Sequence, residues 1–135
     1  MLAQVIQARM ILEVAAIGIA TGRMTKERLQ RLDACMQGMR ETTADGLRFI
    51  DVDREFHLEI AQATDNAVLL GMYESMRQVF VELQLAVIQV PGAIERAIDT
   101  HESMLAALRK RDAQAARKAM RRHLARSSPD GRPTV

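Results

Sequence analysis

The sequence has no tryptophan, one tyrosine and three phenylalanines, so aromatic side chains make up only 3% of it. A core built on aromatic stacking is excluded, and Ala, Leu, Ile, Val and Met must fill the interior. Nine methionines among 135 residues supply adaptable packing. A single cysteine, Cys35, excludes an internal disulfide and suits a reducing, cytoplasmic setting, where it reads as a small buried hydrophobe. Three prolines and seven glycines leave long stretches unpunctuated, and β-branched runs are scarce. Strand-rich folds are therefore disfavoured, and long helices are expected. No apolar run reaches the roughly 18 residues expected of a membrane-spanning helix. The most apolar segment, 10–20, is interrupted by Glu13 and lacks a basic leader and a cleavage site, so it reads as a core helix and not a signal peptide. A large excess of one charge is missing too: the net charge is +2, which is no argument for nucleic acid. Hydrophobic residues, at 48%, suffice for the core of one domain.

Hydrophobic spacing and cap signals divide the chain into six helices, at about 2–20, 25–42, 47–63, 67–90, 93–110 and 112–126. Thr25 is the expected N-cap of the second, and Pro91-Gly92 ends the fourth. The last nine residues, 127–135, are polar, hold two prolines and a glycine, and are expected to form a disordered tail. Short connections force neighbouring helices to run antiparallel, so the expected fold is an all-α antiparallel bundle over residues 1–126.

All three histidines of the chain fall on apolar stripes. Asp53 lies in the stripe Phe49, Asp53, Phe56, Ile60, with His57 four residues on and on the same face. His101 lies in the stripe Ile94, Ile98, His101, Leu105, Leu108, and His123 follows Ala113, Ala116 and Met120. An unpaired polar group in a core costs about 1–3 kcal/mol, and an unpaired carboxylate more. His101 stands eleven residues before Asp112 and His123 eleven after it, so the two sit at equal height in a helical hairpin, roughly 16 Å from its tip at ~1.5 Å per residue. Three imidazoles and a carboxylate that converge suit zinc first, with nickel, cobalt or manganese as other borderline metals. The alternative is three core histidines satisfied by hydrogen bonds alone in a purely structural bundle. A second alternative is a metal-dependent hydrolase with a three-His, one-Asp site. It has no His-Glu-x-x-His motif, although Glu55 and Glu59 share a helix with two of the four residues.

Arg9 shares a stripe with Val5 and Leu12, where it either clamps a carboxylate or pairs with Glu13 four residues on. Asn66 either contacts an effector or caps a helix. Arg77, between Tyr73 and Phe80, either reaches a pocket or faces solvent. The basic run from Arg109 through Arg126 reads as a solvated face, with no base-reading partners beside it.

The segment Asp53-Arg54-Glu55-Phe56-His57 resembles the Asp-x-x-Phe-His motif of the FadR C-terminal (FCD) domain of GntR-type transcription regulators. His101 with Met104-Leu105, Ala115-Ala116 with Met120 and His123-Leu124, Arg9 with Leu12-Glu13, and Asn66 with Leu69 extend the resemblance over about residues 2–126. The resemblance implies an antiparallel bundle of six or seven helices. It implies a metal on Asp53, His57, His101 and His123, and a small organic acid, often a carboxylate, beside it. Arg9, Asn66 and Arg77 are the candidate contacts to that acid. It also implies a homodimeric, cytoplasmic regulator that binds DNA through an N-terminal winged helix-turn-helix domain. That domain is expected to be absent here, because residue 2 already lies on the first sensor helix.

Overall fold

The computed structural model describes residues 1–126, and the expected tail at 127–135 lies outside them. Seven helices follow one another: α1 (Leu2–Thr21), α2 (Lys26–Glu41), α3 (Gly46–Gln62), α4 (Ala67–Ser75), α5 (Arg77–Val87), α6 (Ala93–Arg109) and α7 (Ala113–Arg126). The expected single helix over 67–90 is two. Met76 (φ −95°, ψ 0°) closes α4 through a short backbone bond, its N–H donating to the Tyr73 carbonyl at 3.2 Å. Ser75 contributes by turning its hydroxyl back to the Met72 carbonyl. No proline or glycine marks this break, so spacing alone reads through it.

Elsewhere the caps are local and legible. Thr25 accepts from the Arg28 amide, Asp45 from the Arg48 amide, and Asn66 from the Val68 and Leu69 amides. Gly92, at φ 78°, opens α6 in the left-handed region that glycine occupies without strain.

Five helices close a ring: α1 packs on α7, α7 on α6, α6 on α2, α2 on α3, and α3 on α1. The ring encloses a methionine- and leucine-rich core around Leu32, Met36, Met39, Phe56, Met104, Leu108 and Met120, all 1% exposed or less. The shorter α4 and α5 lie across α1 and α3, where Tyr73, Phe80 and Leu83 join Val5, Ile6 and Leu12 in a second cluster. By length and composition alone α1 could cross a bilayer, with a mean hydropathy of 1.5. This corrects the reading that no run is long enough. Here α1 is a wall of the bundle, packed on α7 and α3, with the charged pair Arg9 and Glu13 buried halfway along it.

Candidate metal centre

Three helices deliver the four residues that the stripes single out. Asp53 and His57 come from the middle of α3, His101 from α6 and His123 from α7. The hairpin symmetry holds. The α6–α7 turn is completed by Arg111 (φ 53°) and by Asp112, whose carboxylate accepts from the Ala115 amide. The His101 and His123 rings then meet edge to face with centroids 4.3 Å apart. One donor atom from each of Asp53, His57, His101 and His123 lies within 4.8 Å of all the others, and all four residues are buried.

The surrounding groups fix how the rings are held. His57 Nδ1 lies 2.5 Å from Glu13 Oε1, and His101 Nδ1 lies 2.5 Å from the Ala97 carbonyl. Both partners can only accept, so both Nδ1 atoms donate. His123 Nδ1 lies 2.8 Å from Thr100 Oγ1. The Thr100 hydroxyl proton is directed at the Arg96 and Ala97 carbonyls, so the oxygen accepts from His123. Each imidazole is thus oriented through Nδ1 by a neighbour, as metal-bound histidines are.

The consequence is a collision of acceptors. With Nδ1 protonated, a neutral imidazole has a lone pair at Nε2. Yet His57 Nε2 and His101 Nε2 stand 3.1 Å apart, and Asp53 Oδ1 is 2.7 Å from the latter and 3.3 Å from the former. Asp53 Oδ1 is buried with no hydrogen-bond donor. Lone pairs aimed at one point require a positive charge there, either a proton or a metal ion, and the donor set fits a borderline divalent metal.

The titration behaviour has the same cause. Burial alone would raise the Asp53 carboxyl, but His101 and His57 outweigh it and hold it well below the usual range. Burial alone would lower His57, but Glu13 and Asp53 override that and raise it to about 9. Burial, with His101 and His57 alongside, pushes His123 well below its ordinary value. Glu13, against the pull of burial, is held down to about 2 by Arg9 and His57.

Arg9 pairs with Glu13, as one of its two readings has it. Its Nε donates to Glu13 Oε2 at 2.7 Å, its guanidinium lies 5.0 Å from the centre of the Phe80 ring, and it also lines a cavity beside the histidine cluster. That cavity, about 30 Å³, is walled by apolar residues such as Phe49, Leu83 and Val87, with Arg9, Asp53, Gln84 and His123 as its polar groups. Asn66 and Arg77 are not among its lining: Asn66 is exposed and caps α4, and Arg77 is exposed at the start of α5. Asn66→Ala is therefore expected to cost about 1 kcal/mol of stability while metal content stays unchanged, which a denaturant melt and metal analysis would check. Glu55 and Glu59 line a groove between α2 and α3, with Glu59 paired to Arg31 at 3.0 Å. Cys35 is buried, and burial beside Glu55 and Glu59 pushes its thiol up to about 11. Glu13, Gln84 and Thr100 are the site residues that the sequence reading misses.

The FCD domain family model matches residues 4–126. A Uxu operon regulator of Haemophilus influenzae is 28% identical over 127 residues, covering 90% of this chain and 47% of that protein. An uncharacterized HTH-type transcriptional regulator of Bacillus subtilis, YcbG, is 32% identical over 122 residues, covering 89% of this chain and 50% of that protein. The chain thus spans about half the length of these curated relatives. Among solved structures, the fold matches Escherichia coli McbR/YncC with a TM-score of 0.75 at 23% identity, covering 90% of this chain and 62% of that one.

Proposed function

The chain belongs to the FCD domain family of GntR-type transcription regulators, and on that premise we propose that it is an effector-sensing domain that binds a divalent metal and a small carboxylate. Asp53, His57, His101 and His123 would hold the metal, with zinc the first choice. The single observation that carries this reading is the set of buried acceptors converging within 4.8 Å. When bound, the metal would supply positive charge and open coordination positions for a carboxylate.

Charge balance supports the acid. With neutral imidazoles, the buried Arg9, Glu13 and Asp53 sum to one negative charge. A divalent ion turns that into one positive charge, and a single carboxylate restores neutrality in a place where net charge is costly. Arg9, whose Nε donates to Glu13, would offer its remaining N–H groups to the acid. In the whole regulator, the acid would bias the bundle between states and so alter DNA affinity by linkage. DNA contact would come from a winged helix-turn-helix domain joined to this one, in a cytoplasmic homodimer. The relatives are named as regulators, and Glu13, the carboxylate nearest the cluster, is committed to Arg9 and His57. The observations therefore favour sensing over hydrolysis.

Protein purified without chelator is expected to carry about one divalent ion per chain. A carboxylate at about 100 times its Kd should stabilise the loaded form by about 2.7 kcal/mol, and chelation should abolish the effect. Metal-free protein whose melting temperature ignores added zinc and nickel would sink the proposal.

A further inference from the structure

The charge of this chain is divided unevenly. Residues 109–126 hold eight basic residues against one acidic, Asp112, whereas residues 1–108 hold ten basic against fifteen acidic. The small net charge therefore hides a strongly basic end. Helix α7 itself carries five basic residues and no acidic one. Its inner side, with Ala116, Met120 and Leu124, is buried in the core. At about 3.6 residues per turn, Lys118, Arg121, Arg122 and Arg126 fall on the outer side, and all four are exposed. Arg117 flanks them, half-buried, with its stem laid across Gly18 of α1. A Cβ at Gly18 would meet the Arg117 Cδ at 3.1 Å, so the glycine makes room for the arginine.

These cations also lack the partners that other surface arginines have. Arg28 pairs with Asp65 at 2.6 Å, Arg31 with Glu59 at 3.0 Å and Arg40 with Glu102 at 2.5 Å. On α7, Arg122 comes no nearer to a carboxylate than 3.9 Å, at Asp99, and Arg117, Lys118, Arg121 and Arg126 form no ion pair among the described residues. We propose that this face binds the phosphate backbone of duplex DNA without reading its bases, adding charge contacts to those of a joined DNA-reading domain. From Arg117 to Arg126 the face runs roughly 14 Å at ~1.5 Å per residue, about four base steps of ~3.4 Å along one strand. Base-reading partners are missing beside it, and phosphate contact needs none. A bilayer is a poorer match, because interfacial helices sink an apolar face into the lipid. Here α7 commits its apolar side to the core, and no large hydrophobic residue is exposed among residues 109–126. A protein partner would need aromatic or aliphatic anchors among the charges, and a second copy would set like charges face to face. The proposal is separate from the metal and acid reading, since none of these residues is a donor in the histidine cluster.

The test is fluorescence anisotropy of the full chain with a labelled duplex of arbitrary sequence, from about 50 to about 200 mM salt. Binding is expected to weaken with salt, log K against log salt having a slope between about −3 and −5, since each phosphate contacted contributes about −0.9. Lys118→Gln, Arg121→Gln and Arg122→Gln combined should flatten that slope by about 3 and weaken low-salt binding at least about tenfold. The melting temperature should stay near wild type, because the three side chains are exposed. If the triple variant fails to fold, Arg121→Gln alone decides, with the slope expected to flatten by about 1. Arg31→Gln removes the same charge from a paired position on α2 and should leave binding as it was. No binding at the low-salt end, a slope that survives the α7 substitutions, or an equal loss in Arg31→Gln would overturn the proposal. So would displacement of the duplex by poly-glutamate or by phosphatidylglycerol vesicles as effectively as by unlabelled DNA of equal charge, which would assign the face to an acidic protein or a membrane.

Discussion

His101→Ala is expected to lower divalent-metal affinity by more than 100-fold, since loss of a mere supporting partner already costs about 10–100-fold. His101 is fully buried, and its Nε2 meets both Asp53 Oδ1 at 2.7 Å and His57 Nε2 at 3.1 Å. Neither of the other two imidazoles can take its place, because His57 and His123 are each held through Nδ1 by a partner of their own. The melting curves should show a second effect of the opposite sense. In chelator, wild type has only a proton to hold its converging acceptors together, whereas the variant has one acceptor fewer. The stability gap between the two should therefore be wide with zinc and nearly closed without it. A purely structural histidine would give the same loss in both conditions. Retention of a full equivalent of tightly bound metal by the variant would refute the proposed ligand set.

The sequence disclosed this centre because of where its polar residues fall. Asp53, His57, His101 and His123 interrupt apolar stripes, and the α6–α7 hairpin pins the last two at one height by counting alone. The groups behind them were less legible. Glu13 meets His57 across 44 residues, and Thr100 meets His123 across 23, so neither pairing leaves a local signature. Glu13 was visible only as a charge inside the most apolar stretch, and its i,i+4 partner Arg9 already gave it a local explanation. Gln84 could have been found by the same criterion as the histidines, since it shares the stripe Phe80, Leu83, Gln84, Val87. What hid it was the break at Met76, which carries no proline or glycine and made α4 and α5 read as one long helix. Packing across α1 and α3, and not local propensity, determines where α5 lies.

Glu13→Ala is expected to be among the most damaging single changes on α1, through two routes that can be measured separately. Arg9 is 3% exposed and Glu13 is its ion-pair partner at 2.7 Å, so the substitution leaves a guanidinium buried without its counter-charge. Breaking a buried pair from one side typically costs about 3–5 kcal/mol, enough to lower the melting temperature by at least about 10 °C. The same change deprives His57 of the acceptor that holds its Nδ1, and metal affinity should fall about 10–100-fold. The double substitution Arg9→Met with Glu13→Leu separates the routes. Removing both charges together eliminates the orphaned cation, so most of the stability should return. The His57 acceptor remains missing, so metal affinity should stay low, and with Arg9 gone the carboxylate response should vanish. If the double variant instead binds metal as wild type does, Glu13 serves only to neutralise Arg9. The orientation of His57 would then have to come from Asp53 and the packing of α3 against α1.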